Sequence, residues 1–203
     1  MKIIEQSRAP NPRRVRIFLA EKGIAVPFEQ VDIMQKQHLS AGFTALNPLQ
    51  RVPVLVLDDG TAISESVAIC RYFEETHPSP ALFGATPVER AVVEMWSRRA
   101  ELSLLLPVAN CFRHAHPAMV ELEVPQIQAW AEVNRTRAQD MLGLIDTELA
   151  GRPFLAGEQY SIADITALVA IDFMKPAKIE RPAGLANLDR WYKTVSSRPS
   201  AQA

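Results

Sequence analysis

An α/β unit followed by an all-α unit is the architecture this sequence predicts, and three observations carry it. The first 76 or so residues alternate short β-branched runs with stretches of helical period, in the order βαβ and then αββα. The segment His77-Pro-Ser-Pro-Ala-Leu-Phe-Gly-Ala-Thr-Pro87 is proline-rich and aperiodic, which marks a linker. Beyond it no convincing strand follows, and apolar residues recur at helical spacing. The expected division is a domain over residues 1–78, a linker over 79–87 and a helical domain over 88–203.

Composition narrows the function classes. With 203 residues, 48% apolar and 22% charged, the chain has the make-up of an ordinary globular protein able to bury a core. A net charge of −1 gives no global attraction to nucleic acid or acidic membrane. No apolar run approaches the roughly 20 residues needed to cross a bilayer. The N-terminal run Met1-Lys-Ile-Ile-Glu-Gln6 carries charge and is no signal peptide, so a cytoplasmic home is expected. Cys70 and Cys111 lie far apart without a C-x-x-C partner, so neither a disulfide framework nor a zinc site is expected. The histidines at 38, 77, 114 and 116 form no metal spacing, and His114 and His116 read as surface residues at a helix end.

Met1 to Glu5 reads as the first strand. Pro12 suits the first turn of the following helix, which carries Val15, Phe18 and Leu19 inward and stops at Gly23. Phe28 to Ile33 alternates as a second strand, parallel to the first because a helix connects them. A short helix over Ala41–Leu46 precedes a strand from Val54, a turn at Asp59-Gly60, and a returning strand over Thr61–Ile63. Ser64 or Ser66 then caps a helix beginning near Val67. In the second half, Val88, Val92, Met95, Leu102, Leu106 and Ala109 mark the inward face of one long helix. Ile127, Trp130, Ala131, Ala138, Met141, Leu142, Ile145 and Leu149 mark another. Ser161-Ile-Ala-Asp164 opens a very apolar helix with a capping-box variant, and Leu185–Ser197 forms the last helix around Trp191.

Two places go beyond folding. Pro53 interrupts the approach to a central-looking strand, where proline belongs only at a tight turn or bulge. Glu65 and Ser66 put a carboxylate and a hydroxyl at a helix start, beside backbone N–H groups, a setting suited to a small zwitterionic ligand. The turn Ser7–Pro12 likewise faces a helix N-terminus that favours a thiolate or carboxylate. Arg13, Arg14 and Arg16 add positive charge there, which calls for a nearby anion.

Over nearly its full length the chain resembles a cytosolic glutathione transferase. The likeness is carried by Pro10-Asn-Pro-Arg-Arg-Val-Arg-Ile-Phe-Leu-Ala-Glu-Lys-Gly23, by Asn47-Pro-Leu-Gln-Arg-Val-Pro53, by Ser64-Glu-Ser66 and by Ser161-Ile-Ala-Asp164, in family order and spacing. It implies a thioredoxin-like N-terminal domain, an all-helical C-terminal domain, glutathione as co-substrate, a small electrophile or disulfide as second substrate, and a homodimer. By the resemblance, Pro53 is the cis-proline that exposes the Val52 backbone to the cysteinyl group. Glu65 and Ser66 bind the γ-glutamyl end; His38 and either Gln50 or Arg51 face the glycyl end. Asp164 supports the helical domain.

The thiol-activating residue stays open among Asn11, Ser7 and a backbone N–H. The first turn is similar to that of the Nu-like branch, but Ala9 stands where that branch has a hydroxyl. Ala9, Trp96, Arg99, Phe112 and Arg113 are the expected electrophile-side residues. Two other readings are a non-catalytic interaction module on this fold and a glutathione-dependent isomerase; the latter is weakened because the Ser-Ser-Cys run of maleylacetoacetate isomerases is absent.

Overall fold

A computed structural model describes all 203 residues, which divide into two compact units, residues 1–81 with 199–203 and residues 82–198. The first unit runs β1 (Lys2–Glu5), α1 (Pro10–Lys22), β2 (Phe28–Gln30), α2 (Ala41–Leu46), β3 (Val54–Val56), β4 (Ala62–Ser64) and α3 (Ser66–Thr76). Its sheet order is β2-β1-β3-β4, with β1 and β2 parallel and the other neighbours antiparallel. Strand alternation sends Ile4 and Val54 to the face covered by Phe43 of α2, while Ile3 and Leu55 go to the opposite face. On α1 and α3, which pack together, Val15, Phe18, Ile69 and Phe73 are buried.

Local chemistry explains most boundaries. Gly23 closes α1 at φ 65°, where its N–H reaches the Ala20 carbonyl. The expected second strand stops at Gln30, because the Asp32 carboxylate accepts the N–H groups of Met34 and Gln35 and turns the chain. Neither Ser64 nor Ser66 caps α3. Ser64 ends β4, Ser66 is already helical, and the cap position belongs to Glu65. The last five residues depart from the expected helical domain: Arg13 donates to the Ala201 carbonyl at 2.9 Å and the Ser200 hydroxyl to Glu21, so they belong to the first unit.

The second unit contains α4 (Pro87–Ala100), a π-helical turn (Glu101–Leu105), α5 (Leu106–Ala115), α6 (Gln128–Glu148), α7 (Ile162–Met174) and α8 (Ala186–Ser196). Every residue from Ile162 to Ile171 is buried, as expected for a helix apolar on all sides. The first helix corrects the sequence reading twice. It is interrupted by the π-helical turn ahead of Pro107, whose ring nitrogen cannot donate. Its packed face is Val93, Trp96, Ala100, Leu104 and Val108, while Val88 is 74% and Leu102 50% exposed, with Met95 and Leu106 exposed as well. Two neighbouring stripes have helical period, and the buried one includes the small residues Ser97 and Ala100, where another helix can come close. Ile127 and Trp130 are exposed too; Trp130 lies under the Arg137 guanidinium instead of in the core. No helix of the chain is long and apolar enough to cross a membrane.

Candidate functional site

The Asn47–Ser66 stretch is organised by a residue that sequence reasoning passed over. The Asn47 side chain is buried, donates to the Arg51 carbonyl at 2.8 Å and accepts the Leu49 N–H, so it folds the loop on itself. Gln50 then takes φ 54°, and its amide nitrogen is held by the Thr44 hydroxyl at 2.9 Å. Arg51 is exposed, so of the two glycyl-end candidates it is the one with a side chain facing outward. The Val52–Pro53 peptide is cis, and Val54 follows at once into β3.

The β4–α3 corner holds Glu65 and Ser66. Glu65 sits at φ 68°, ψ 112°, a conformation that costs a non-glycine residue about 1–3 kcal/mol and persists where function or surrounding structure demands it. Its side chain makes no cap bond and its residue is exposed. Ser66 is buried at the first helical position, and its hydroxyl accepts from Arg14 Nη1 at 2.9 Å. Arg14, fully buried on α1, thus finds its partner 52 positions along the chain.

His38 lies in the 3₁₀ turn Gln37–Leu39 and is only 4% exposed. Its Nδ1 has no hydrogen-bond partner within the chain. Burial, and next the Arg51 guanidinium, hold this imidazole below its ordinary value of 6.5. In the unfolded chain the ring takes up a proton below about pH 6.5, and in the folded chain it does not until lower pH. The unfolded state therefore binds more protons in that window, and stability is lost as pH falls through it. The expected result is a melting temperature that drops between about pH 7 and about pH 5.5, with a smaller drop in His38→Gln, read by calorimetry at matched ionic strength.

At the first turn, backbone donors are scarce. The Ser7 N–H goes to Gln30 Oε1, that of Arg8 to Gln6 Oε1, that of Ala9 to the Gln6 carbonyl and that of Arg13 to the Ala9 carbonyl. Positions 10 and 12 are prolines and have no N–H. Asn11 alone offers both a backbone N–H without an internal acceptor and an exposed amide. Two of the three alternatives thus converge on one residue, while Ser7 contributes an exposed side chain just ahead of the helix. Of the three arginines, Arg16 meets an anion here, the Glu5 carboxylate at 2.6 Å; Arg14 bonds the Ser66 hydroxyl and Arg13 the Ala201 carbonyl, both neutral acceptors. Cys70 is enclosed, and burial pushes its thiol up to about 12, so it is a core residue and no nucleophile.

In the helical unit Trp96 is 1% exposed, under the Arg99 and Arg152 guanidiniums at 4.9 and 4.6 Å, and its role is packing. Arg99 is exposed; Phe112 is half-buried against His116 and Phe173, and Arg113 pairs with Glu123 at 3.1 Å. His114 and His116 are not free surface groups either. Their Nδ1 atoms accept the N–H groups of Ile127 and Ala118 and so fix the loop after α5.

Residues 9–76 match the family described as glutathione S-transferase, N-terminal domain, and residues 109–199 match glutathione S-transferase, C-terminal domain. The chain is 39% identical to glutathione S-transferase 2 of Saccharomyces cerevisiae over all of its own length and 88% of the relative's. It belongs to the glutathione S-transferase family. A solved glutathione S-transferase domain-containing protein of Marinobacter aquaeolei is 41% identical and superposes with a TM-score of 0.96 over 98% of this chain and 99% of its own. A Gtt2-class enzyme of Vibrio parahaemolyticus is 36% identical, with a TM-score of 0.88 over 100% and 96%. The chain is a glutathione transferase by this membership, and the family uses glutathione as co-substrate. Its members are typically dimeric.

Proposed function

We propose that this transferase binds glutathione along β3, the β4–α3 corner and the 3₁₀ turn, and ionises its thiol at the first turn. Glu65 and Ser66 take the γ-glutamyl end, the Val52 backbone before Pro53 the cysteinyl group, and His38 with Arg51 the glycyl carboxylate, with Gln50 shaping the loop. The observation that carries this reading is Ser66: a buried hydroxyl oriented by a buried arginine, directly after a residue held at positive φ.

Asn11 stabilises the thiolate. A free thiol with a pKa of about 8.5 is mostly protonated at neutral pH, and lowering it by about two units needs roughly 2.7 kcal/mol. An amide donor and a backbone N–H, each worth about 1 kcal/mol, plus the positive end of the 13-residue α1, add up to that range. The thiolate sulfur then attacks a small hydrophobic electrophile, forming the C–S bond as the leaving group departs. Attack on a disulfide or peroxide is the alternative use of the same thiolate. Arg99, Phe112 and Arg113 are the residues of the helical unit we assign to the electrophile; the protein acts as a homodimer in the cytoplasm.

Calorimetric titration with glutathione tests the binding half. Ser66→Ala is expected to raise Kd about tenfold, the loss of roughly one charge-assisted hydrogen bond. Glu65→Gly is expected to weaken glutathione binding while leaving the fold as stable or slightly more so, since glycine adopts that φ freely. Unchanged affinity in both variants overturns the assignment. Asn11→Ala is expected to raise the pKa of the bound thiol while keeping Kd at a pH below that pKa.

A further inference from the structure

A closed ring of hydrogen bonds runs from the Ser7 main chain through Gln30, Glu5 and Arg16 and back to it. The Ser7 N–H donates to Gln30 Oε1 at 3.0 Å, and Gln30 Nε2 donates to Glu5 Oε1 at 2.8 Å. Arg16 Nη1 donates to Glu5 Oε2 at 2.6 Å, and Arg16 Nη2 returns to the Ser7 carbonyl at 2.7 Å. We infer that Glu5, Arg16 and Gln30 are positioning residues, whose ring clamps the Ser7 main chain and thereby sets where Asn11 meets the glutathione thiol. The inference rests on the reading of Asn11 given above.

Each member has a chemical reason to be what it is. Glu5 ends β1 and is buried, and a buried carboxylate must be paired and hydrogen-bonded; both its oxygens are. Arg16 offers two parallel donors in a rigid fork, so one side chain ties the strand end to the turn. Gln30 must accept from an N–H and donate to a carboxylate at once, and an amide of that length does both. The parallel register places Gln30 directly beside Glu5. The ring can act at a distance because the turn has no slack. With the donors of Ser7, Arg8, Ala9 and Arg13 spent internally and prolines at 10 and 12, a shift at Ser7 is carried to Asn11.

Gln30 is the residue to test, because it is exposed on the edge strand β2 and its loss removes no apolar packing. Gln30→Met breaks both its bonds. Gln30→Glu keeps an acceptor for Ser7 and sets a second carboxylate against Glu5. Steady-state kinetics with 1-chloro-2,4-dinitrobenzene, thiolate absorbance of bound glutathione against pH, and calorimetric Kd are measured on the full chain. Both variants are expected to lose roughly tenfold in kcat and to raise the bound-thiol pKa, with Kd unchanged at a pH below that pKa and a lower melting temperature, because Glu5 Oε1 loses its donor. Relative to wild type, Gln30→Glu is expected to recover as acid protonates the introduced carboxyl and lets it donate again. Unchanged kcat and thiol pKa in both variants overturns the inference, and so does a Kd that loosens in step with kcat. A wild-type protein that binds glutathione without lowering its thiol pKa overturns the Asn11 reading and this one with it, and shows before any substitution is made.

Discussion

Asp164→Ala is expected to cost the helical unit about 4 kcal/mol, a large share of the roughly 5–15 kcal/mol by which a protein is stable. The carboxylate accepts the Leu155 N–H at 2.9 Å, the Ser161 N–H at 3.0 Å, the Ser161 hydroxyl at 3.0 Å and Trp191 Nε1–H at 2.8 Å. It joins the loop before α7, the start of α7 and the middle of α8. Burial pushes its carboxyl above the ordinary value, and these four donors oppose that push. Alanine leaves all four donors in a dry interior, where each orphan costs about 1–3 kcal/mol before relaxation. Asp164→Asn is the sharper control. It keeps the volume, but its NH2 faces donors, so it is expected to recover less than half of the loss. Urea unfolding followed by tryptophan fluorescence measures both, and near-wild-type stability for Asp164→Asn would show that shape, not acceptor capacity, is what α7 needs.

That network was half legible in advance. Ser161-Ile-Ala-Asp164 announces a capping box because its partners are three residues apart, and Gly23 and Asp59-Gly60 announce their turns for the same local reason. Trp191 as a third partner residue of Asp164 lies 27 residues away and leaves no trace in spacing. The site divides along the same line. Pro53, Glu65 and Ser66 stand out as residues at odds with their elements, whereas Arg14 beneath Ser66 and Gln30 beside Ser7 depend on contacts made only after the sheet forms. Helical period also fails where two apolar stripes share one helix. Val88 and Met95 fit the pattern as well as Val93 and Trp96, and only the packing of α4 against α7 decides between them.

Lys22→Met is expected to destabilise the first unit by roughly 3–5 kcal/mol, the range for breaking one side of a buried ion pair. The side chain of Lys22 is 0% exposed, and its ammonium lies 2.7 Å from Glu74 Oε2. It also donates to the carbonyls of His77 at 2.6 Å and Pro80 at 2.7 Å. Lys22 is the last residue of α1, and His77 caps the end of α3. Two negative helix ends and a carboxylate therefore converge on one cation. The double variant Lys22→Met with Glu74→Leu is expected to regain part of the loss, because an apolar pair no longer buries an ion, and to stay about 1–2 kcal/mol short for the two carbonyls. A double-mutant cycle by chemical denaturation gives the coupling directly. The matter reaches the site because α1 begins at the thiol turn and α3 begins at Ser66. Arg14–Ser66 pins these helices at the end that carries the proposed glutathione site and Lys22–Glu74 at the other. Glutathione affinity is accordingly expected to weaken in Lys22→Met, although no atom of Lys22 belongs to the binding site. An affinity equal to wild type in a variant that has lost the predicted stability would mean that Arg14–Ser66 alone sets the spacing of the two helices.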